Sequence, residues 1–105
     1  MDGDFFDALS NPYRRQIVRM LKWGNYSVNE ITKALEISQP SVSRHLDVLK
    51  KANIVVAERR ANQIIYSLNL SVMQEFVGKM VEFLDDMKDL KEVRKYESNK
   101  DAYNN

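Results

Sequence analysis

The sequence predicts a single, mainly helical domain with one small β-hairpin, in the order α-α-α-α-β-β-α. Three observations lead to this fold class. Four short segments within residues 4–51 repeat apolar residues at helical spacing, two segments within residues 54–68 are rich in β-branched and aromatic residues, and a long apolar seam starts near Ser71. We expect the domain to span residues 1–96, and residues 97–105 to form a disordered tail because they lack periodicity.

Composition excludes several classes of protein before any motif is considered. The 105 residues contain no cysteine, which excludes disulfides and thiolate metal sites. No apolar run approaches the roughly 20 residues of a membrane span, and the acidic N-terminus is unlike a signal peptide. We therefore expect a cytoplasmic protein.

Positive charge is concentrated in the middle of the chain. The net charge is only +1, but residues 10–70 contain ten lysines and arginines against four acidic residues. This distribution fits a surface that binds a polyanion such as nucleic acid. A basic face that is merely solvated is the alternative.

The first two helical segments combine apolar and basic residues. Residues 4–9 (DFFDAL) include two adjacent phenylalanines, which is more apolar surface than a short helix buries alone. Asn11 is typical of an N-cap with Pro12 at the first helical position, and the helix that follows should end near Gly24. Its basic side chains are either solvated or in contact with phosphates: Arg14, Arg15, Arg19 and Lys22.

Residues 27–51 predict a helix-turn-helix. Ser27 and Glu30 have the S-x-x-E spacing of a capping box, which begins a short third helix. Ser38 then caps a fourth helix with a polar outer face, and the free N–H groups of its first turn suit a phosphate or a base edge. The inner face of this fourth helix is apolar and should pack on the domain: Val42, Leu46 and Leu49.

The segment after the helix-turn-helix predicts a β-hairpin. Residues 54–60 (IVVAERR) and 63–68 (QIIYSL) have strand composition, and Ala61 and Asn62 lie between them as a turn. A hairpin directly after a helix-turn-helix is the wing of a winged helix. The tip of this wing is basic and polar, which suits contacts with the minor groove or the DNA backbone.

The last helix should begin at a second capping box, Ser71 and Gln74, and end near Leu90 or Val93. Its apolar stripe covers nearly half of its circumference, which is wider than packing on one small domain requires. We therefore expect a homodimer, with burial entirely within one chain as the alternative. The predicted dimer interface consists of Phe5, Phe6, Met73, Phe76, Val77, Met80, Phe83, Leu84 and Met87.

The fourth helix and the wing provide the predicted DNA contacts. Arg44 is the best candidate for base reading, because a guanidinium matches the two acceptors of guanine in the major groove. Lys50, Lys51, Arg59 and Arg60 should hold phosphates, whereas the polar residues of the fourth helix suit either role. The complete predicted set is Gln39, Ser41, Ser43, Arg44, Lys50, Lys51, Arg59, Arg60, Asn62 and Gln63.

Catalysis finds little support in the sequence. Ser41 and His45 have the spacing of a nucleophile and a base on one helix, but no third orienting group or oxyanion donor accompanies them. We predict no enzyme activity, no cofactor and no catalytic residue. His45, the only histidine, is expected to have a structural role or to lie near a phosphate rather than to read a base.

Three segments resemble the ArsR-type winged helix-turn-helix transcriptional repressors. They are residues 8–18 (ALSNPYRRQIV), 38–55 (SQPSVSRHLDVLKKANIV) and 58–68 (ERRANQIIYSL), within a resemblance that runs from Phe5 to about Leu84. The resemblance implies a homodimer joined through its first and last helices. It also implies an inverted-repeat operator whose half-sites lie about 10 base pairs apart in successive major grooves.

The departures from the family pattern concern metal sensing. Ser27 and Asn29 occur where metal-sensing members have a pair of cysteines, and the last helix has no histidine for the other common metal site. The chain is therefore most similar to the metal-independent SdpR-like autorepressor subgroup. That likeness implies autoregulation and control by a sequestering partner protein, of which a membrane-bound anti-repressor is one candidate. The wing turn has Asn62 where glycine is common, a tolerable change because asparagine adopts left-handed conformations readily.

Two other functions remain open. A winged-helix protein-interaction module would use the last helix as a docking surface, and a small-ligand-responsive regulator would bind an apolar molecule beside that helix. Steep loss of duplex binding with salt would favour the repressor over the interaction module.

Overall fold

The structure, a computed structural model, describes the backbone of residues 2–104 and the side chains of residues 4–88. It confirms the predicted fold class, a mainly helical winged helix-turn-helix, and adds one short strand. The elements are α1 (Asp2–Leu9), α2 (Pro12–Leu21), β1 (Tyr26–Ser27), α3 (Val28–Leu35), α4 (Gln39–Lys51), β2 (Val55–Arg60), β3 (Gln63–Leu68) and α5 (Leu70–Asn104).

The chain forms two compact units, of which the first ends at Met73 and the second begins at Gln74. The first unit contains α1 to α4 and the three strands, and the second contains most of α5. The domain boundary that the sequence predicts at residue 96 stays a prediction.

Side-chain caps begin α2, α3 and α4 where the sequence predicts them. The Oδ1 of Asn11 accepts from the N–H of Tyr13 at 2.8 Å. Ser27 and Glu30 form the complete capping box: the Ser27 N–H donates to Glu30 Oε1 at 2.9 Å, and the Glu30 N–H donates to Ser27 Oγ at 3.2 Å. Such caps satisfy N–H groups that lack a partner within the helix, and each stabilises the helix by about 0.5–2 kcal/mol.

The core of the first unit lies between the helices and the root of the wing. Its members are buried apolar side chains from every helix of that unit, from both long strands and from the residue that precedes β2: Phe5, Ala8, Ile17, Leu21, Ile31, Val42, Leu46, Leu49, Ile54, Val55 and Tyr66. The predicted inner face of α4 is confirmed, since its three apolar residues are all 0% exposed. Burial of each such side chain contributes about 1.5–3 kcal/mol.

The wing belongs to a three-stranded antiparallel sheet in the order β1-β3-β2. Strand β1, which the sequence analysis does not predict, pairs Tyr26 with Tyr66 and Ser27 with Ile65. Two residues are too few for an alternating pattern, so only the pairing with β3 identifies this strand. The Ala61–Asn62 turn is confirmed, but the left-handed residue is Ala61, with a φ of 55°. The expectation that Asn62 adopts this conformation is therefore wrong.

Helix α5 differs from its prediction at both ends. It begins at Leu70, one residue early, and Oδ1 of Asn69 accepts from the N–H of Val72 at 3.3 Å, a cap that the Ser71 box was expected to provide. The helix continues to Asn104, whereas the sequence predicts disorder for residues 97–105. Residue 105 and the side chains after residue 88 lie outside the described residues. The prediction followed the end of the apolar seam, but no glycine or proline follows Gly78 to stop the helix.

Within the described part of the chain, none of the helices has the length and apolar character needed to cross a bilayer.

Candidate nucleic-acid interface

The outer face of α4 carries the principal candidate for base reading. Arg44 is exposed, and its side chain makes no hydrogen bond or ion pair with any other residue among those whose side chains are described, 4–88. The inner face of the same helix is completely buried, which fixes the direction in which Arg44 leaves the domain. A guanidinium held outward in this way has all of its donors available for a base edge.

The first turn of α4 is more internally bonded than the sequence suggests. Ser38 Oγ accepts from the Ser41 N–H at 3.3 Å and donates to Ser41 Oγ at 2.8 Å. Ser41 and Ser43 are half-buried, whereas Gln39 is exposed. Of the three polar candidates in this part of α4, Gln39 is therefore the most accessible to a nucleic acid.

Arg14 of α2 connects three helices. Its Nε donates to the carbonyl oxygen of Ala8 at 2.6 Å, and its Nη2 donates to that of Asp7 at 3.3 Å. Its Nη1 lies 3.2 Å from Nδ1 of His45 on α4. Arg14 is thus not simply solvated, because all three of its guanidinium nitrogens make contacts within the domain. Sequence reasoning could not find this role, because the contacts join residues 6 to 31 positions apart.

The surroundings of His45, on the side of α4 that contacts α2, favour its neutral form. Burial lowers the pKa of its imidazole, and the positive charges of Arg14 and Arg44 lower it further. Because a guanidinium only donates, Nδ1 accepts from Arg14 and the remaining ring proton is on Nε2. The ring of Tyr13 lies against the imidazole, with 5.8 Å between centroids.

The wing tip carries four predicted contact residues, all exposed: Arg59, Arg60, Asn62 and Gln63. Arg60 Nη2 donates to Glu58 Oε2 at 3.3 Å, an exposed ion pair that leaves the guanidinium accessible. At the root of the wing, burial raises the pKa of the Tyr66 hydroxyl, and the carboxylate of Asp47 on α4 raises it further. Lys50 and Lys51, at the C-terminal end of α4, are exposed.

The residues predicted for a dimer interface differ in accessibility. Phe5 is 5% exposed and belongs to the core, whereas Phe6 is 54% exposed. Along α5, Met73, Phe76 and Met80 are half-buried. The exposed apolar residues of that helix between positions 74 and 88 are Val77, Val81, Phe83, Leu84 and Met87.

No group of three or more histidine, cysteine, aspartate or glutamate side chains that could hold a metal ion occurs among the described residues.

Comparisons with known proteins agree in the family that they indicate. Residues 11–56 match the profile of the bacterial regulatory proteins of the arsR family. The chain is 39% identical to the transcriptional repressor SdpR of Bacillus subtilis over 83 residues, which are 79% of this chain and 92% of SdpR.

Solved structures show the same fold. The transcriptional repressor BigR of Xylella fastidiosa is similar with a TM-score of 0.62 and 31% identity, over 77% of this chain and 83% of that one. The homodimeric winged helix-turn-helix DNA-binding domain of Mb0332 from Mycobacterium bovis is similar with a TM-score of 0.66 and 27% identity, over 81% of this chain and 78% of that one.

Proposed function

We propose that this chain, which belongs to the arsR family of bacterial regulatory proteins, binds an inverted-repeat operator as a homodimer. It is a transcriptional repressor with a DNA-binding winged helix-turn-helix. In this proposal, α4 of each subunit enters a major groove, and the wing contacts the adjacent minor groove or backbone. The two half-sites lie about 10 base pairs apart, one helical turn of DNA.

The observation that carries the proposal is the asymmetry of α4. Its inner face is 0% exposed at Val42, Leu46 and Leu49. Arg44 projects from the opposite side of the helix, where it is exposed and has no partner among the described side chains. A helix that is rigidly anchored on one side and presents an unpaired guanidinium on the other is suited to major-groove reading.

The remaining basic and polar residues divide into two roles. Lys50, Lys51, Arg59 and Arg60 hold phosphates, and they fix the register of the protein on the duplex without reading sequence. The polar residues of α4 and of the wing tip provide supplementary contacts to bases or phosphates: Gln39, Ser41, Ser43, Asn62 and Gln63.

Dimerisation uses the exposed apolar residues of α1 and α5. Phe6 of α1 is exposed, and so are the residues of α5 at positions 77, 83, 84 and 87, whereas Met73, Phe76 and Met80 are half-buried. Support for a homodimer also comes from the Mb0332 domain, which is homodimeric.

We further propose that the repressor is cytoplasmic, autoregulatory and not metal-responsive. The chain has no cysteine, and Nδ1 of its single histidine already accepts from Arg14. Release from DNA then requires another signal, for which a sequestering anti-repressor protein, membrane-bound or not, is the proposed source.

The roles of Arg44 and Arg60 can be separated by binding assays. Footprinting on the DNA upstream of the protein's own coding region would locate the operator, and anisotropy would then measure affinity for it and for single-base variants. Arg44→Ala should weaken operator binding by about 1–3 kcal/mol and relax preference at one base pair, whereas Arg60→Ala should weaken all duplexes similarly. Equal, sequence-independent losses in both variants would contradict this division.

A further inference from the structure

We propose that Arg14 is a positioning residue, which holds α4 in the orientation needed to read an operator by joining His45 to the end of α1. The inference rests on the proposed function, because it assigns a role in sequence preference to a residue outside the proposed set of DNA contacts.

The contacts of Arg14 use one guanidinium to join three elements. Nε and Nη2 donate to the carbonyl oxygens of Ala8 and Asp7, at 2.6 and 3.3 Å, in the last turn of α1. The Asp7 carbonyl also accepts from the N–H and the hydroxyl of Ser10, at 3.2 and 2.6 Å. Carbonyls in the last turn form the negative end of the helix dipole, so a cation is favoured there. The third nitrogen, Nη1, remains for Nδ1 of His45 at 3.2 Å.

His45 is suited to receive this contact. Its neutral imidazole offers Nδ1 as an acceptor, and the Tyr13 ring at a centroid distance of 5.8 Å restricts the ring from α2. His45 also directly follows Arg44 in α4. Rotation of α4 about its axis, or its displacement along that axis, would move both residues together.

The polar contact supplies a restraint that the buried face of α4 does not. Apolar packing through Val42, Leu46 and Leu49 is strong but non-directional. A charge-assisted hydrogen bond depends on angle and distance, so it selects one rotation of the helix among several that keep the apolar face buried. Sequence preference requires such precision because base contacts are lost by small displacements.

The neighbouring Arg15 provides a matched control. Its Nη1 also donates to a carbonyl at the end of α1, that of Leu9, at 2.8 Å. Arg15 has the same charge and a similar capping role, but among the described residues it has no hydrogen bond to α4. Loss of capping at α1 should therefore appear in variants of both arginines, whereas loss of α4 positioning should appear only in variants of Arg14.

Lysine substitutions keep the charge and remove the planar fork. Arg14→Lys should lower the ratio of operator affinity to scrambled-duplex affinity by at least about fivefold, the equivalent of one hydrogen bond, with scrambled-duplex affinity changed by less than about twofold. Arg15→Lys should leave the ratio unchanged. His45→Leu, which keeps all contacts of Arg14 with α1, should reproduce the loss seen in Arg14→Lys.

The double variants test whether Arg14 acts through His45. In the His45→Leu background, Arg14→Lys should have no further effect on the ratio. In the His45→Asn background, where Oδ1 of the amide can replace Nδ1 as acceptor, dependence on Arg14 should return. The proposal would be overturned by an unchanged ratio in Arg14→Lys. It would also be overturned if Arg14→Lys lowered the ratio by the same factor in the His45→Leu background as in the wild type.

Hydrogen exchange separates failure of this proposal from failure of the proposed function. A wild-type protein with no preference for any operator would refute the function. The exchange of α4 amides without DNA would still decide the role of Arg14: it should be faster in Arg14→Lys and His45→Leu than in the wild type and in Arg15→Lys. Equal exchange in all four proteins would refute the positioning role.

Discussion

Glu58 and Arg60 form an ion pair on β2, with Nη2 of the arginine 3.3 Å from Oε2 of the glutamate. Both side chains are more than 60% exposed, so the pair contributes at most about 1 kcal/mol to stability. If Arg60 holds a phosphate as proposed, the pair has a larger effect on DNA affinity, because the carboxylate competes with phosphates for the guanidinium and also repels them.

Glu58→Gln should therefore strengthen binding to every duplex, since it frees Arg60 and removes a negative charge from the wing. We expect a gain of about two- to fivefold at 50 mM salt that becomes smaller at 200 mM, because the interaction is screened. Anisotropy titrations with operator and scrambled duplexes at the two salt concentrations would measure it.

Glu75→Gln is the matched control, since it removes the same charge and also breaks an exposed pair, that with Lys79 at 3.6 Å on α5. It lies outside the proposed DNA contacts and should change affinity little. An equal gain in both variants would indicate only a net-charge effect, and a loss of affinity in Glu58→Gln would contradict the role given to the pair.

The wing turn should be stabilised by Ala61→Gly but not by Asn62→Gly. Ala61 has a φ of 55°, a left-handed conformation that costs a non-glycine residue about 1–2 kcal/mol, whereas Asn62 has no positive φ. The entropy that glycine adds to the unfolded chain offsets part of this gain, so Ala61→Gly should raise the free energy of unfolding by about 0.5–1 kcal/mol. Asn62→Gly should lower it by about 0.4–1 kcal/mol. Urea unfolding of both variants would measure this, and the opposite ranking would place the left-handed residue at Asn62.

Stability should decrease as the pH falls below that of neutral solution, because of His45. Its pKa is lowered in the folded protein by burial, Arg14 and Arg44, so the unfolded chain, with a pKa of 6.5, takes up a proton first. The free energy of unfolding should be unaffected by His45 well above pH 6.5 and should fall as the pH drops through 6.5 toward the lower folded value.

Comparison with His45→Asn isolates this effect, since the chain has a single histidine. Urea unfolding at pH 8, 7, 6 and 5.5 should show a smaller pH dependence in the variant than in the wild type. Equal slopes would mean that His45 is protonated as readily in the folded protein as in the unfolded chain.

The structural features that the sequence predicts correctly are those set by neighbours along the chain. The caps at Asn11, Ser27 and Ser38 depend on residues two or three positions away, and the buried face of α4 depends on a spacing of three and four. Physical interactions at this range leave a pattern that can be read from one segment alone.

Two of the features that the sequence does not predict depend on distant residues. Strand β1 exists because Tyr26 pairs with Tyr66, and Arg14 is held by His45, 31 positions away. The left-handed Ala61 is a local feature, but both turn residues fit the hairpin by composition, and alanine carries no signal for positive φ. The position of Arg44 is predicted because it follows from the helical period of α4, whereas the contact proposed to orient α4 is tertiary.

Association of two subunits should depend on the exposed apolar residues of α5, of which Leu84 is 60% exposed. Leu84→Glu places a charge in the proposed interface and removes burial worth about 1.5–3 kcal/mol in each copy. The dimer dissociation constant from sedimentation equilibrium should therefore rise at least about tenfold.

Gly78→Glu adds the same charge on the face opposite the apolar stripe, where a Cβ would meet no atom within 4 Å. Because glutamate is also a better helix former than glycine, this control should leave the dissociation constant nearly unchanged. Similar weakening by both substitutions would attribute the effect to charge alone, and no weakening by Leu84→Glu would exclude this residue from the interface.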